Sequence, residues 1–122
     1  MRLTSDFVVS ALVRRAQGEG AYATVARHGD NTAGAIFVLV DGLDGTAALY
    51  GPAPPMMDDA PLPADAALTG NRLFAVRELS PEPSRAAAET ILASEARFDP
   101  DLWVVDIEDR QMRAFVPIIG AL

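Results

Sequence analysis

Residues 35–50 read AIFVLVDGLDGTAALY, and this stretch decides the fold. Its first half, Ile36-Phe37-Val38-Leu39-Val40, is apolar without alternation. A strand with one wet face alternates apolar and polar residues. An unbroken apolar run therefore predicts a strand covered on both faces, at the centre of a sheet. Asp41-Gly42-Leu43-Asp44-Gly45 is dense in turn formers. A second strand, Thr46 to Tyr50, follows at once, and so short a connection favours antiparallel pairing.

Upstream, Tyr22 to His28 reads as another strand, and Gly29-Asp30-Asn31-Thr32 as the turn that joins it to Ala35–Val40. The expectation is a three-strand antiparallel meander. Before it, the spacing predicts a helix from Asp6 to about Gln17. Phe7, Val8, Ala11 and Leu12 form its apolar stripe, widened by Val9, Val13 and Ala16. Thr4 or Ser5 can cap it, and Gly18 and Gly20 end it.

Downstream, residues 51–70 contain Gly-Pro-Ala-Pro-Pro, Asp58-Asp59, Pro61 and Pro63, a composition that resists regular structure. This proline-rich segment reads as a flexible, solvated loop, long enough to be a lid or a linker. A fourth strand is expected over Arg72–Leu79. Ser80-Pro81-Glu82-Pro83-Ser84 then launches a second helix whose Ala87, Ala88, Ile91, Leu92 and Phe98 can share one face. Asp99-Pro100 stops it, because the residue before proline is pushed out of the helical region. A last strand, Leu102 to Glu108, is central by composition. The residues after Asp109 follow no clear pattern. The order α-β-β-β-β-α-β predicts an α+β fold: one domain over residues 1–122, with about five mainly antiparallel strands and two helices packed on the sheet.

Composition removes several kinds of function. The chain has 122 residues, half of them hydrophobic, with a formal net charge of −7. It has no cysteine, so disulfides, thiolate catalysis and thiolate metal sites are excluded. It has no lysine, which removes Schiff-base chemistry and a Walker-type phosphate loop. Net negative charge and the lack of an arginine–aromatic cluster argue against nucleic acid and against an anionic membrane surface. No apolar run approaches the roughly 20 residues of a membrane span. Phe7 to Val13 is too short, and preceded by Asp6, to read as a signal peptide. A cytoplasmic location is expected.

Two stretches carry a resemblance. GAIFVLVDGLDGTAALYGPAP, within Gly20 to Pro54, and EARFDPDLWVVDIEDR, from Glu95 to Arg110, resemble a family of small alphaproteobacterial proteins known only as a domain of unknown function. The most specific part is Asp99-Pro100-Asp101-Leu102-Trp103-Val104-Val105 with Glu108-Asp109-Arg110. The resemblance spans nearly the whole chain. It implies a small stand-alone cytoplasmic protein, and it brings no activity and no functional residues with it.

Candidate chemistry is sparse. Residues two apart in a strand share a face, so Asp106 and Glu108 sit side by side on the face of Leu102 and Val104, with Trp103, Val105 and Ile107 on the other. Two such carboxylates, with Asp41, could hold a divalent metal or act as an acid–base pair. The plainer reading is that they lie at a solvated strand end or pair with an arginine such as Arg72 or Arg77. Asp41–Gly45 lacks the ligand spacing of a calcium loop and reads as a hairpin turn. Gly18-Glu19-Gly20-Ala21-Tyr22-Ala23 matches a dinucleotide fingerprint by letter, but it follows a helix and opens a strand, the reverse of what that site needs. His28, the single histidine, lies at a strand end and approaches Asp41 or Asp44 only if the first two strands pair. Trp103 reads as core. Met56 and Met57, flanked by prolines, could dock on a partner, since methionine adapts its shape.

No catalytic residue and no cofactor is expected. The sequence points to a protein-interaction module without catalytic activity, acting on an unknown protein partner or as a homodimer, through a sheet edge or the loop after Tyr50. The alternative is a small-ligand or divalent-metal binder, or an enzyme, built on Asp106, Glu108 and Asp41.

Overall fold

The structure is a computed structural model, and it describes residues 3–55 and 61–120. Its elements are α1 (Ser5–Gly18), β1 (Tyr22–Arg27), β2 (Ile36–Asp41), β3 (Ala47–Pro52), a 3₁₀ turn (Ala66–Thr69), β4 (Phe74–Arg77), α2 (Arg85–Phe98) and β5 (Trp103–Glu108). The order α-β-β-β-β-α-β is the expected one. The 3₁₀ turn lies within the segment read as loop, with Ala66 and Thr69 buried. Met56 and Met57 lie outside the described residues.

The strands form one sheet in the order β1-β5-β2-β3-β4. All neighbours are antiparallel except β2 and β5, which run parallel. The meander is therefore β2-β3-β4, one strand later than the sequence suggested, and β5 lies between β1 and β2. Residues 28–35 are too many for a tight hairpin, and they carry the chain over the start of β5, a span of about 10 Å for two strand spacings. The crossing is close. Asp30 N–H donates to the Asp101 carbonyl (2.9 Å), and Trp103 N–H donates to the Ala35 carbonyl (2.7 Å). A Cβ on Gly29 would lie 2.2 Å from the Asp101 carbonyl oxygen, and one on Gly34 would lie 2.4 Å from it, so no side chain fits at either position.

One helix covers each face. On the first face α1 packs on β1 and β5. Val8, Val9, Leu12 and Ala16 meet Ile36, Val38 and Val40 of β2 and Trp103, Val105 and Ile107 of β5. The buried positions follow helical spacing, but the stripe is rotated from the expected one, and Phe7 faces solvent. Removing the fully buried Leu12 side chain to alanine would cost about 3 kcal/mol. The start of α1 is also met differently from the expectation. Thr4 makes no side-chain cap. Instead the carbonyls of Thr32 and Asn31 accept from Ser5 and Asp6 N–H at 3.0 Å each, so the loop that crosses β5 also closes the helix.

On the second face α2 packs on β3 and β2. Ala88, with half-buried Ile91 and Leu92, meets Phe37, Leu39, Leu49 and Val104. Ser84 caps this helix, accepting from Ala87 N–H at 3.2 Å. Phe98, expected on the buried face, is 86% exposed: it falls to the side of the stripe set by Ala88, Leu92 and Ala96, which pack on this core. Residues 110–119 then cross the first face. Ala114 and Val116 are buried, and Arg15 donates to the Phe115 carbonyl.

Candidate functional site

β5 presents its two faces as its alternation requires. Trp103, Val105 and Ile107 belong to the core under α1, and Val104 belongs to the core under α2. Asp106 and Glu108 therefore face the α2 side, as read from the sequence. The parallel register sets Asp41 beside Glu108 and Leu39 beside Asp106. The antiparallel register with β1 sets Tyr22 beside Glu108 and Thr24 beside Asp106. Asp41, Asp106 and Glu108, remote in sequence, thus share one end of one sheet face.

The first turn of α2 supplies a cation to that end. Arg85 donates from Nε to Asp41 (2.9 Å) and, in a two-pronged pair, from Nη1 and Nη2 to Asp106 (2.9 and 2.8 Å). Glu89, one helical turn on, lies 3.6 Å from the same guanidinium. The planar fork of arginine suits this arrangement. The carboxylates do pair with an arginine, but with Arg85 rather than Arg72 or Arg77. Arg77 is engaged by Glu95 (2.7 Å), and Arg72 donates to Ser5 Oγ (2.8 Å) and the Leu3 carbonyl (3.1 Å). Hydrogen bonding from Arg85 first, and then from Leu43 N–H, holds the Asp41 carboxyl below the usual carboxylate range. The same two aspartates raise the Arg85 pKa. Glu108 makes no ion pair among the described residues. Among those residues, no group of three or more histidine, aspartate or glutamate side chains is placed to hold a metal ion.

The neighbouring turn is a hairpin, as expected. Asp41 accepts from Leu43 N–H (2.8 Å), and Asp44 accepts from Thr46 N–H (3.0 Å) and Thr46 Oγ1 (2.6 Å). Its carboxylates serve the turn. His28 is far from this end, because β1 runs antiparallel to β5: Tyr22 stands beside Glu108, and His28 follows Arg27 at the Val104 end. Its ring lies against Trp103, with centroids 4.1 Å apart, and Nε2 meets Asn31 Oδ1 at 2.8 Å. Trp103 is 2% exposed and donates from Nε1 to the Asp30 carbonyl (2.8 Å). A second carboxylate–arginine pair, Asp109 with Arg113, was not singled out by sequence. Asp109 is nearly buried and receives Arg113 Nε at 2.8 Å and Arg113 Nη2 at 3.1 Å, and these bonds pull its pKa down to about 2. The spacing of four between Asp109 and Arg113 was the available signal.

The outer strands differ in how they are finished. β4 is short, and the C-terminal segment pairs with its first residue: Phe74 N–H donates to the Pro117 carbonyl (2.9 Å), and Ile119 N–H donates to the Phe74 carbonyl (2.8 Å). No described strand lies beyond β1. Of its residues only Ala23 is buried, while Tyr22 is 61% and Val25 43% exposed. α2 packs over β2 and β3, so the Tyr22 and Thr24 side of β1 is left open on the same face as the acidic end of β5.

A family model described as "Protein of unknown function (DUF1491)" matches residues 3–117. The crystal structure of a DUF1491 family protein from Caulobacter crescentus is 36% identical, covers 98% of this chain and 100% of its own, and superposes with a TM-score of 0.75. The solution structure of protein Atu0922 from A. tumefaciens is 37% identical, covers 100% of this chain and 98% of its own, and has a TM-score of 0.77. An NMR structure of a DUF1491 family protein from Caulobacter crescentus is 38% identical over 98% of this chain and 99% of its own, with a TM-score of 0.75. No curated protein matches the chain.

Proposed function

Since the chain belongs to the DUF1491 family, whose function is unknown, we propose from its own geometry that it is a cytoplasmic protein-interaction module that takes an extended segment of another protein along β1. The observation that carries this reading is the contrast between the two sheet edges. An outer strand presents unpaired N–H and C=O groups that another chain can complete, and proteins commonly cover or twist such edges. Here the tail closes the Phe74 end of the four-residue β4, whereas β1 keeps a flank with five of its six residues exposed, on which the Ala23 carbonyl accepts from Gln17 Nε2 (3.1 Å). A β-bulge between Val25 and Arg27 twists its far end and leaves Tyr22–Val25 as the regular part. No described helix is long and apolar enough to cross a membrane. The acidic end of β5 does not carry a catalytic reading, because Arg85 already engages Asp41 and Asp106.

The test is site-specific photo-crosslinking in the native cell. A photoreactive residue at Thr24 should capture one protein that the same residue at Thr90, on exposed α2, does not capture. That protein, purified and added back, should protect β1 amides from hydrogen exchange. Capture at Thr90 alone, or protection confined to elements other than β1, contradicts the proposal.

A further inference from the structure

We infer that the segment taken up along β1 is cationic, with an arginine or lysine side chain on the face shared with Glu108. This inference rests on the edge reading above and names the chemistry of its partner. Side chains directly opposite one another in neighbouring strands share a face. That face therefore carries, across β2, β5 and β1, the row Asp41, Glu108, Tyr22 and below it the row Leu39, Asp106, Thr24. Three carboxylates stand in these two rows. Arg85 bonds two of them, and Glu108 makes no ion pair among the described residues. Glu89 adds a further carboxylate beside Arg85. The other cation on this face of β1, Arg27, stands opposite Val104 at the far end of the strand and donates to the Pro100 carbonyl (3.0 Å). At the Tyr22 end, the carboxylates Asp41, Asp44, Glu89, Asp106 and Glu108 outnumber Arg85 and Arg110, the latter near Asp44, so this end of the edge is negative.

A strand added beyond β1 would lie about 10 Å from β5, two strand spacings. An extended arginine and Glu108 reaching toward each other cover that distance. Tyr22, 61% exposed, stands between them in the register, and an aromatic ring there offers a cation a second partner. A second copy of this chain fits less well. The formal net charge of −7 makes two copies repel, and the same acidic end would be presented by both. Charge complementarity therefore favours a basic extended segment from a different protein.

Two capped octapeptides test this on the whole protein: one alternates arginine and valine, and the other has citrulline, of the same shape but uncharged, in place of arginine. Amide chemical shifts are followed in an NMR titration at low salt. The expected result is that the arginine peptide moves the β1 amides, binds about fivefold more tightly than the citrulline peptide (the upper end for one exposed ion pair), and loses that margin in Glu108→Gln or in high salt. Glu108 makes no ion pair among the described residues, so the variant should keep the native spectrum elsewhere. If both peptides move the β1 amides with equal affinity, or if Glu108→Gln leaves the margin unchanged, the cationic partner is overturned and the edge reading stands. If neither peptide moves β1 amides at any concentration, both are overturned.

Discussion

Replacing Arg85 with methionine keeps the apolar stem and removes the guanidinium that joins α2 to β2 and β5. Three charge-assisted hydrogen bonds of 2.8–2.9 Å are lost. The side chains of Arg85, Asp41 and Asp106 are 32%, 19% and 22% exposed, which places the cluster between two regimes. Exposed ion pairs contribute roughly 0–1 kcal/mol, whereas breaking a buried pair costs about 3–5 kcal/mol. The expected loss is about 2 kcal/mol at pH 7, or about 7 °C in Tm for a domain of this size. Urea unfolding should show a lower midpoint with an unchanged slope. Asp106→Asn alone and combined with Arg85→Met should give a coupling energy of about 1 kcal/mol or more. The pH dependence has a definite sign. Asp41 has a depressed folded pKa, so its contribution is present above the unfolded value of about 3.9 and is lost as pH falls through the folded value. The cost of Arg85→Met should therefore be full at pH 7 and shrink below about pH 4. A loss under about 0.5 kcal/mol, or the same loss at pH 3 as at pH 7, would refute the clamp.

Other outcomes follow from the same contacts. Gly29→Ala and Gly34→Ala each drive a Cβ into the Asp101 carbonyl and should cost about 3 kcal/mol or more, or prevent folding, by thermal circular dichroism. Gly18→Ala, with nothing within 4 Å of its Cβ at the end of α1, should be neutral or stabilise by about 0.5 kcal/mol. Asp109→Asn should lower stability by a constant amount above about pH 5, and the difference should fade as pH drops from about 4 toward the depressed folded value of about 2. Val25→Lys, on the exposed edge, should leave Tm within a degree or two and still abolish capture of the partner at Thr24, which a size-matched lysine on exposed α2 should not do.

Much of the fold was legible because strand and helix periods are local. Ile36–Val40 and Leu102–Glu108 read as central strands, and both lie inside the sheet, where they form its parallel pair. The position of β5 was not legible. Gly29-Asp30-Asn31-Thr32 gives the same turn signal whether the chain reverses beside itself or crosses a strand yet to come. Only the length of the 28–35 connection distinguishes the two, and pairing across 60 or more residues has no local signature. The same limit applies to the acidic end. The face shared by Asp106 and Glu108 follows from alternation, but Arg85 as their partner depends on where α2 begins over the sheet, which is a tertiary fact. Phe7 and Phe98 were assigned to the core because helical spacing fixes a stripe's width and not which neighbour it meets.

The central claim is that β1 is the binding edge. It is tested most directly by amide hydrogen exchange on the protein alone and in complex with the partner captured from Thr24. The account predicts fast exchange at the outward-pointing amides of Tyr22–Arg27 in the free protein and strong protection of those amides in the complex, with α1 and α2 little changed. Protection centred on a helix or on the β4 edge, with β1 exchanging as before, would contradict it.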